Sequence, residues 1–112
     1  MRSHTLELRR GTGTLACLIE LEAAQYGYGL LENLTAAGID IDGNTLYPMF
    51  RRLEKQGLLT SQWNTQQQRP RKFYQITPAG QEVKTHLLAE WRTITATLDR
   101  LTTQDSTTGE YI

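Results

Sequence analysis

One stretch, Asn44–Gly57 (NTLYPMFRRLEKQG), leaves this chain little freedom in how it folds. Leu46, Phe50 and Leu53 recur at i, i+4 and i+7, with Met49 beside them and Gly57 ending the run. That spacing makes one apolar stripe on one helix. The opposite face carries Asn44, Tyr47, Pro48, Arg51 and Lys55, with Arg52 at its edge. A helix with an apolar back and a basic, hydrogen-bonding front suits the DNA major groove. It also suits an ordinary solvated surface, and the helix alone does not separate the two.

The residues after Gly57 narrow the choice. The period changes from helical to short runs rich in aromatic and β-favouring residues, Leu58–Trp63 and Lys72–Thr77. Between them Asn64–Arg71 (NTQQQRPR) is polar and ends basic. Two strands joined by such a loop form a hairpin with a protruding, cationic tip. Before the helix, Gly29–Ala37 reads as a shorter helix stopped at Gly38, with Leu30, Leu31 and Leu34 turned inward. Asn44 or Thr45 is expected to cap the third helix, which places Pro48 in or near its first turn. Helix, connector, helix and hairpin together describe a winged helix-turn-helix, mainly α with a small β-hairpin, in the α+β class. The hairpin places cations where a phosphate backbone or minor groove would run.

The remaining N-terminal part reads as support. Met1–Arg10 is expected to be a loose arm with helical character at its end. Gly11–Ala23 is a first helix with Leu15, Leu18, Ile19 and Leu21 on its buried side. Gln25–Gly29 (QYGYG) breaks the pattern as a turn or very short strand. Cys17, the single cysteine, falls in an apolar helical pattern and reads as a small buried hydrophobe.

At the other end, Thr77-Pro78 is a helix start with proline at the first helical position. The helix is expected to run to about Leu101, roughly 36 Å at about 1.5 Å per residue, too long to pack only on its own domain. Leu87, Trp91, Ile94, Leu98 and Leu101 step by four, three, four and three. That is a heptad seam for a partner helix, most simply from a second copy of the chain. The organisation expected is thus a winged-helix domain over 1–77, a dimerisation helix over 78–101 and a disordered tail over 102–112.

Length and charge set the outer bounds. The chain has 112 residues, enough for one domain with a modest core. No apolar run approaches the length of a membrane span, Met1–Gly11 lacks the apolar stretch of a signal peptide, and the single cysteine suits a reducing compartment, so a cytoplasmic location is expected. Net charge is zero, yet Gly43–Thr77 holds six cations against Glu54 alone. Charge is segregated, and the basic part contains the recognition-like helix.

Quoted in order, LRRGTGTLACL, YGYGLLENL, GNTLYPMFRRLEKQGLL, RPRKFYQITPAG and EWRTI resemble the PadR family of bacterial transcriptional regulators. The resemblance covers most of residues 8–101, and Gly43–Leu59 is its specific part. It implies a homodimer built through a single C-terminal helix, as in the short-tailed subgroup, and repression at palindromic operators. It also implies that Trp91, in its Glu-Trp context, lines a flat pore between subunits where planar aromatic effectors stack. Two departures are present: Tyr26 stands where many members have histidine, and Gln66–Gln68 stand where acids or glycines are frequent.

The candidate DNA contacts are Asn44, Thr45, Tyr47, Arg51, Arg52 and Lys55 from the third helix and Arg69, Arg71 and Lys72 from the wing. Double-stranded DNA, a second copy of the chain and a small aromatic effector are the expected partners, with no membrane. A winged-helix interaction module that binds protein rather than DNA is the alternative; it has no need of the basic helix front and basic wing. An enzyme is not expected, nor a cofactor or metal: His4 and His86 are solitary, and no Cys/His spacing, phosphate loop or nucleophile set is present. Asp40 and Asp42 read as turn and cap residues.

Overall fold

The computed structural model describes residues 1–66 and 68–108. The chain runs α1 (Arg2–Arg9), α2 (Thr12–Glu20), β1 (Gln25–Tyr26), α3 (Gly27–Ala36), α4 (Gly43–Lys55), β2 (Leu59–Asn64), β3 (Arg71–Ile76) and α5 (Pro78–Thr108). Strand β3 is central in a three-stranded antiparallel sheet ordered β1-β3-β2. The hairpin pairs Leu59 with Ile76 at its base and Asn64 with Arg71 near its tip. The two-residue strand in QYGYG adds to its other edge, with Tyr26 opposite Phe73.

The core lies between α2, α3, α4 and the sheet. Phe50, Leu18, Leu21, Leu30, Leu34, Leu46, Leu53 and Cys17 are fully buried. The stripe read on Asn44–Gly57 accordingly supplies Leu46, Met49, Phe50 and Leu53 to that core. Phe50 meets Tyr74 of β3 at 4.5 Å between ring centroids, an aromatic contact that joins helix and sheet. Both helices of the helix-turn-helix end in the same way. Gly38 (φ 97°) and Gly57 (φ 79°) take the left-handed conformation. The next residues, Ile39 and Leu58, then donate to the carbonyls of Leu34 and Leu53.

Four expectations need correcting. Asp42, not Asn44 or Thr45, caps α4: its Oδ1 accepts the Thr45 N–H at 2.9 Å. An aspartate in the extended conformation at Asp42 outcompetes the later candidates because it reaches the third helical amide. Pro48 is therefore inside the helix and, having no N–H, returns no bond to the Asn44 carbonyl. In Met1–Arg10 the helical character is not confined to the end: helix α1 takes in Arg2–Arg9, and it buries no residue. Ile19 is 41% exposed rather than buried, on the side of α2 away from the core.

Helix α5 starts as read. Thr77 Oγ1 accepts the Gly80 N–H at 3.0 Å and donates to the Gly57 carbonyl at 2.6 Å, tying the start of α5 to the end of α4. Its far end differs. The helix passes Leu101 and continues to Thr108, where a disordered tail was expected from Thr102. No glycine or proline interrupts the sequence between Gly80 and Gly109, and Thr102 and Thr103 return their hydroxyls to the carbonyls of Leu98 and Asp99. The remainder of the expected tail, 109–112, lies outside the described residues. Val83 and Leu87 pack against the domain core, and Lys84 pairs with Glu22. Beyond them Trp91, Ile94, Leu98 and Leu101 are each about half exposed. Leu87, read with the seam, thus turns partly to its own domain, and the free apolar row begins at Trp91. Among the described residues no helix is long and apolar enough to cross a membrane.

Candidate nucleic-acid interface

Helix α4 presents Asn44, Thr45, Arg51 and Lys55 as exposed side chains, while its opposite side is committed to the core. Tyr47 is held more firmly than a surface tyrosine. Its ring meets Phe50 edge-on at 5.8 Å, and any Cβ at Gly27 would stand 2.8 Å from its Cε1. Glycine at the first position of α3 therefore lets the tyrosine lie across the helix start.

The wing approaches the same place. Tyr47, Arg69, Arg71 and Lys72 line one open groove of about 500 Å³ between α4, the start of α3 and the hairpin. Sequence reasoning missed the other rings that line it, Tyr28, Trp63 and Tyr74. Trp63 is 62% exposed, and Lys72, its register partner, lies 6.0 Å from the ring centroid. The guanidinium of Arg71 lies over Tyr28 at 4.8 Å. Tyr28 stacks on Tyr26 at 5.7 Å, and Asn64 Nδ2 donates to the Tyr26 hydroxyl at 2.7 Å. The one available signal was the pair of tyrosines two apart in QYGYG.

Two of the predicted cations are placed differently from the rest. Arg52 turns toward α2, where its guanidinium reaches Thr14 Oγ1 at 3.5 Å, away from the groove. Lys72 is not a free wing cation. Its Nζ lies 3.7 Å from Glu54 Oε1 of α4 and 5.6 Å from the Tyr74 ring centroid. Tyr74, at the groove floor, has its phenol pushed above the ordinary range by burial first, then by Glu54 and Tyr47, with Arg51 pulling the other way. Gln66 and Gln68 are exposed at the wing tip; Gln67 between them lies outside the described residues. Among the described residues no cluster of histidine, cysteine and carboxylate groups could hold a metal ion.

An exposed basic helix front, and a basic wing that shares a groove with Tyr47 of that helix, are the marks of a winged-helix regulator. Residues 15–86 match the Transcriptional regulator PadR-like family. This chain belongs to that family. The PadR-like assignment makes it a transcriptional regulator and not an enzyme. A PadR family transcriptional regulator from Eggerthella lenta shares 43% identity, with 89% of each chain covered and a TM-score of 0.84. A transcriptional regulator from Clostridium thermocellum shares 28% over 87% of this chain and 96% of the other, with a TM-score of 0.68. Rv3488, a transcriptional regulator of Mycobacterium tuberculosis, is 38% identical over 60 residues, or 54% of this chain and 56% of that protein.

Proposed function

We propose that this PadR-like regulator is a homodimeric repressor that binds a palindromic operator. The observation that carries the reading is the groove, which Tyr47 of α4 lines together with Arg69, Arg71 and Lys72 of the wing, while α4 turns Arg51 and Lys55 outward, although the chain has no net charge. Asn44, Thr45 and Tyr47 at the N-terminal end of α4 reach base edges or phosphates, helped by the positive end of the helix dipole. Arg51 donates to a guanine edge or a phosphate, and Lys55 holds a phosphate. Arg69 and Arg71 grip the backbone that crosses the groove.

The half-exposed row Trp91, Ile94, Leu98 and Leu101 supports pairing of two α5 helices. Exposed Leu6 and Leu8 on α1 and Ile19 on α2 add apolar surface that a second copy would cover. Such a dimer would set two α4 helices about 34 Å apart, one turn of DNA. A planar aromatic effector stacking on Trp91 between subunits would favour one spacing of those helices and release DNA. A regulator of this kind would work in a bacterial cytoplasm.

Fluorescence anisotropy with DNA from upstream of the chain's own gene, across a salt series, tests the reading. Tight, salt-sensitive binding with two chains per site supports it. Binding no tighter than to random DNA, at any salt, favours the protein-interaction reading instead.

A further inference from the structure

Glu54 is the single acid among the six cations of Gly43–Thr77, and DNA contact gives it no role. A carboxylate beside a phosphate-binding face should only repel DNA. Its contacts indicate another use. One oxygen accepts the hydroxyl of Ser61 on β2, and the other lies 3.7 Å from Lys72 Nζ on β3. Three elements, the recognition helix and both strands of the wing, therefore meet at one side chain.

Helix α4 ends at Lys55 and β2 begins at Leu59, so only Gln56–Leu58 connects them. The bonds from Thr77 to the Gly57 and Leu58 carbonyls tie only the base of the hairpin, and Phe50 against Tyr74, across this junction, is apolar and carries no fixed direction. A carboxylate with two polar partners on different strands does carry one. The ammonium of Lys72 also lies over the rings of Tyr74 and Trp63. Its charge is spent inside the protein rather than on a phosphate.

We propose that Glu54 is a positioning residue: through Ser61 and Lys72 it fixes the spacing of the wing from α4, and so the preference for one DNA sequence over others. The proposal rests on the DNA-binding reading above. It reverses the sign that electrostatics alone would give. As a mere repulsive charge, Glu54 would weaken binding to all DNA alike, and its removal would tighten both specific and random complexes. As a strut, its removal loosens the fit to the preferred site while binding to other DNA holds or improves.

The test uses the full chain, a duplex enriched from a random pool by the wild-type protein, and a scrambled duplex of equal length. With Glu54→Gln, affinity for the enriched duplex should fall about tenfold, the scale of one charge-assisted hydrogen bond, with no loss on the scrambled duplex. Ser61→Ala removes one partner without touching charge and should lower the same ratio less. Lys72→Met should also lower the ratio while leaving the salt slope in place, whereas removal of a phosphate-binding cation would cost about one unit of slope. Equal tightening on both duplexes with Glu54→Gln, or a reduced slope with Lys72→Met, overturns the proposal. A second readout needs no DNA: amide hydrogen exchange in 59–64 and 71–76 should quicken in Glu54→Gln while the first turns of α5 hold. Unchanged wing exchange overturns the strut by itself. If the wild-type protein enriches no duplex, the DNA reading fails and the exchange result alone judges Glu54.

Discussion

The guanidinium carbon of Arg71 sits 4.8 Å from the centre of the Tyr28 ring, so a cation of the wing is held by the start of α3. Tyr28 is itself steadied by Tyr26, which Asn64 of the wing hydrogen-bonds. Tyr28→Ala should therefore weaken DNA binding through Arg71. In a double-mutant cycle with Arg71→Ala, the two losses should fail to add by about 0.5–1 kcal/mol, the range of an exposed cation–π pair. Anisotropy titration of the four proteins measures it; strict additivity would show that the ring does not serve Arg71.

Arg51 and Lys55 lie on the exposed front of α4. Arg51→Ala with Lys55→Ala should lower operator affinity and flatten its salt dependence by about one unit for each phosphate no longer held. A salt series gives the slope directly. Unchanged affinity and slope would remove these two residues from the interface.

Gly80, in the first turns of α5, is packed so closely that an added methyl would stand 2.2 Å from the Leu58 carbonyl oxygen and 2.6 Å from Ile76 Cγ1. Helix propensity favours alanine there by about 1 kcal/mol, but forced overpacking costs about 1–3 kcal/mol, more against backbone that cannot yield. Packing should win, and Gly80→Ala should lower the thermal midpoint. Gly29→Ala, with nothing within 4 Å of the new methyl, is the control and should raise it or leave it unchanged.

Burial pushes the Cys17 thiol from its ordinary 9.0 up to about 12. Between those values the unfolded chain has lost a proton that the folded chain keeps. The contribution is therefore fully present below about pH 9 and is lost as pH rises toward 12. Tyr74, also raised by burial, acts in the same direction. Urea unfolding at pH 8 and pH 11 should show a smaller drop in stability for Cys17→Ala than for the wild type. Equal drops would mean that the thiol does not report on this burial.

Much of this molecule was legible because local rules agreed with one another. The stripe Leu46, Met49, Phe50 and Leu53 can be buried on only one face, so it located α4 and its core side together. Gly38 and Gly57 stopped their helices because few other residues take a left-handed turn without strain. Thr77-Pro78 started α5. Boundaries were less secure wherever two residues competed for one role. Asp42, Asn44 and Thr45 are all good caps, and the first prevails because its backbone is extended and its carboxylate accepts the Thr45 N–H.

The sequence by itself determined the elements, their order and the charged segment, since these are set by period, turn chemistry and residue type along the chain. Tertiary structure alone decided which cations share a groove. Arg52 and Arg51 are neighbours in sequence, yet one reaches back to Thr14 while the other stays on the exposed front. Lys72 reads as a wing cation until Glu54 is found 3.7 Å away. Tyr28 has no visible role until β1 joins β3 and brings the start of α3 under Arg71. Such pairings join residues far apart in the chain, and no local pattern encodes them. They exist because the shared core of Phe50, Leu30, Leu18 and Tyr74 fixes helices and sheet in one arrangement.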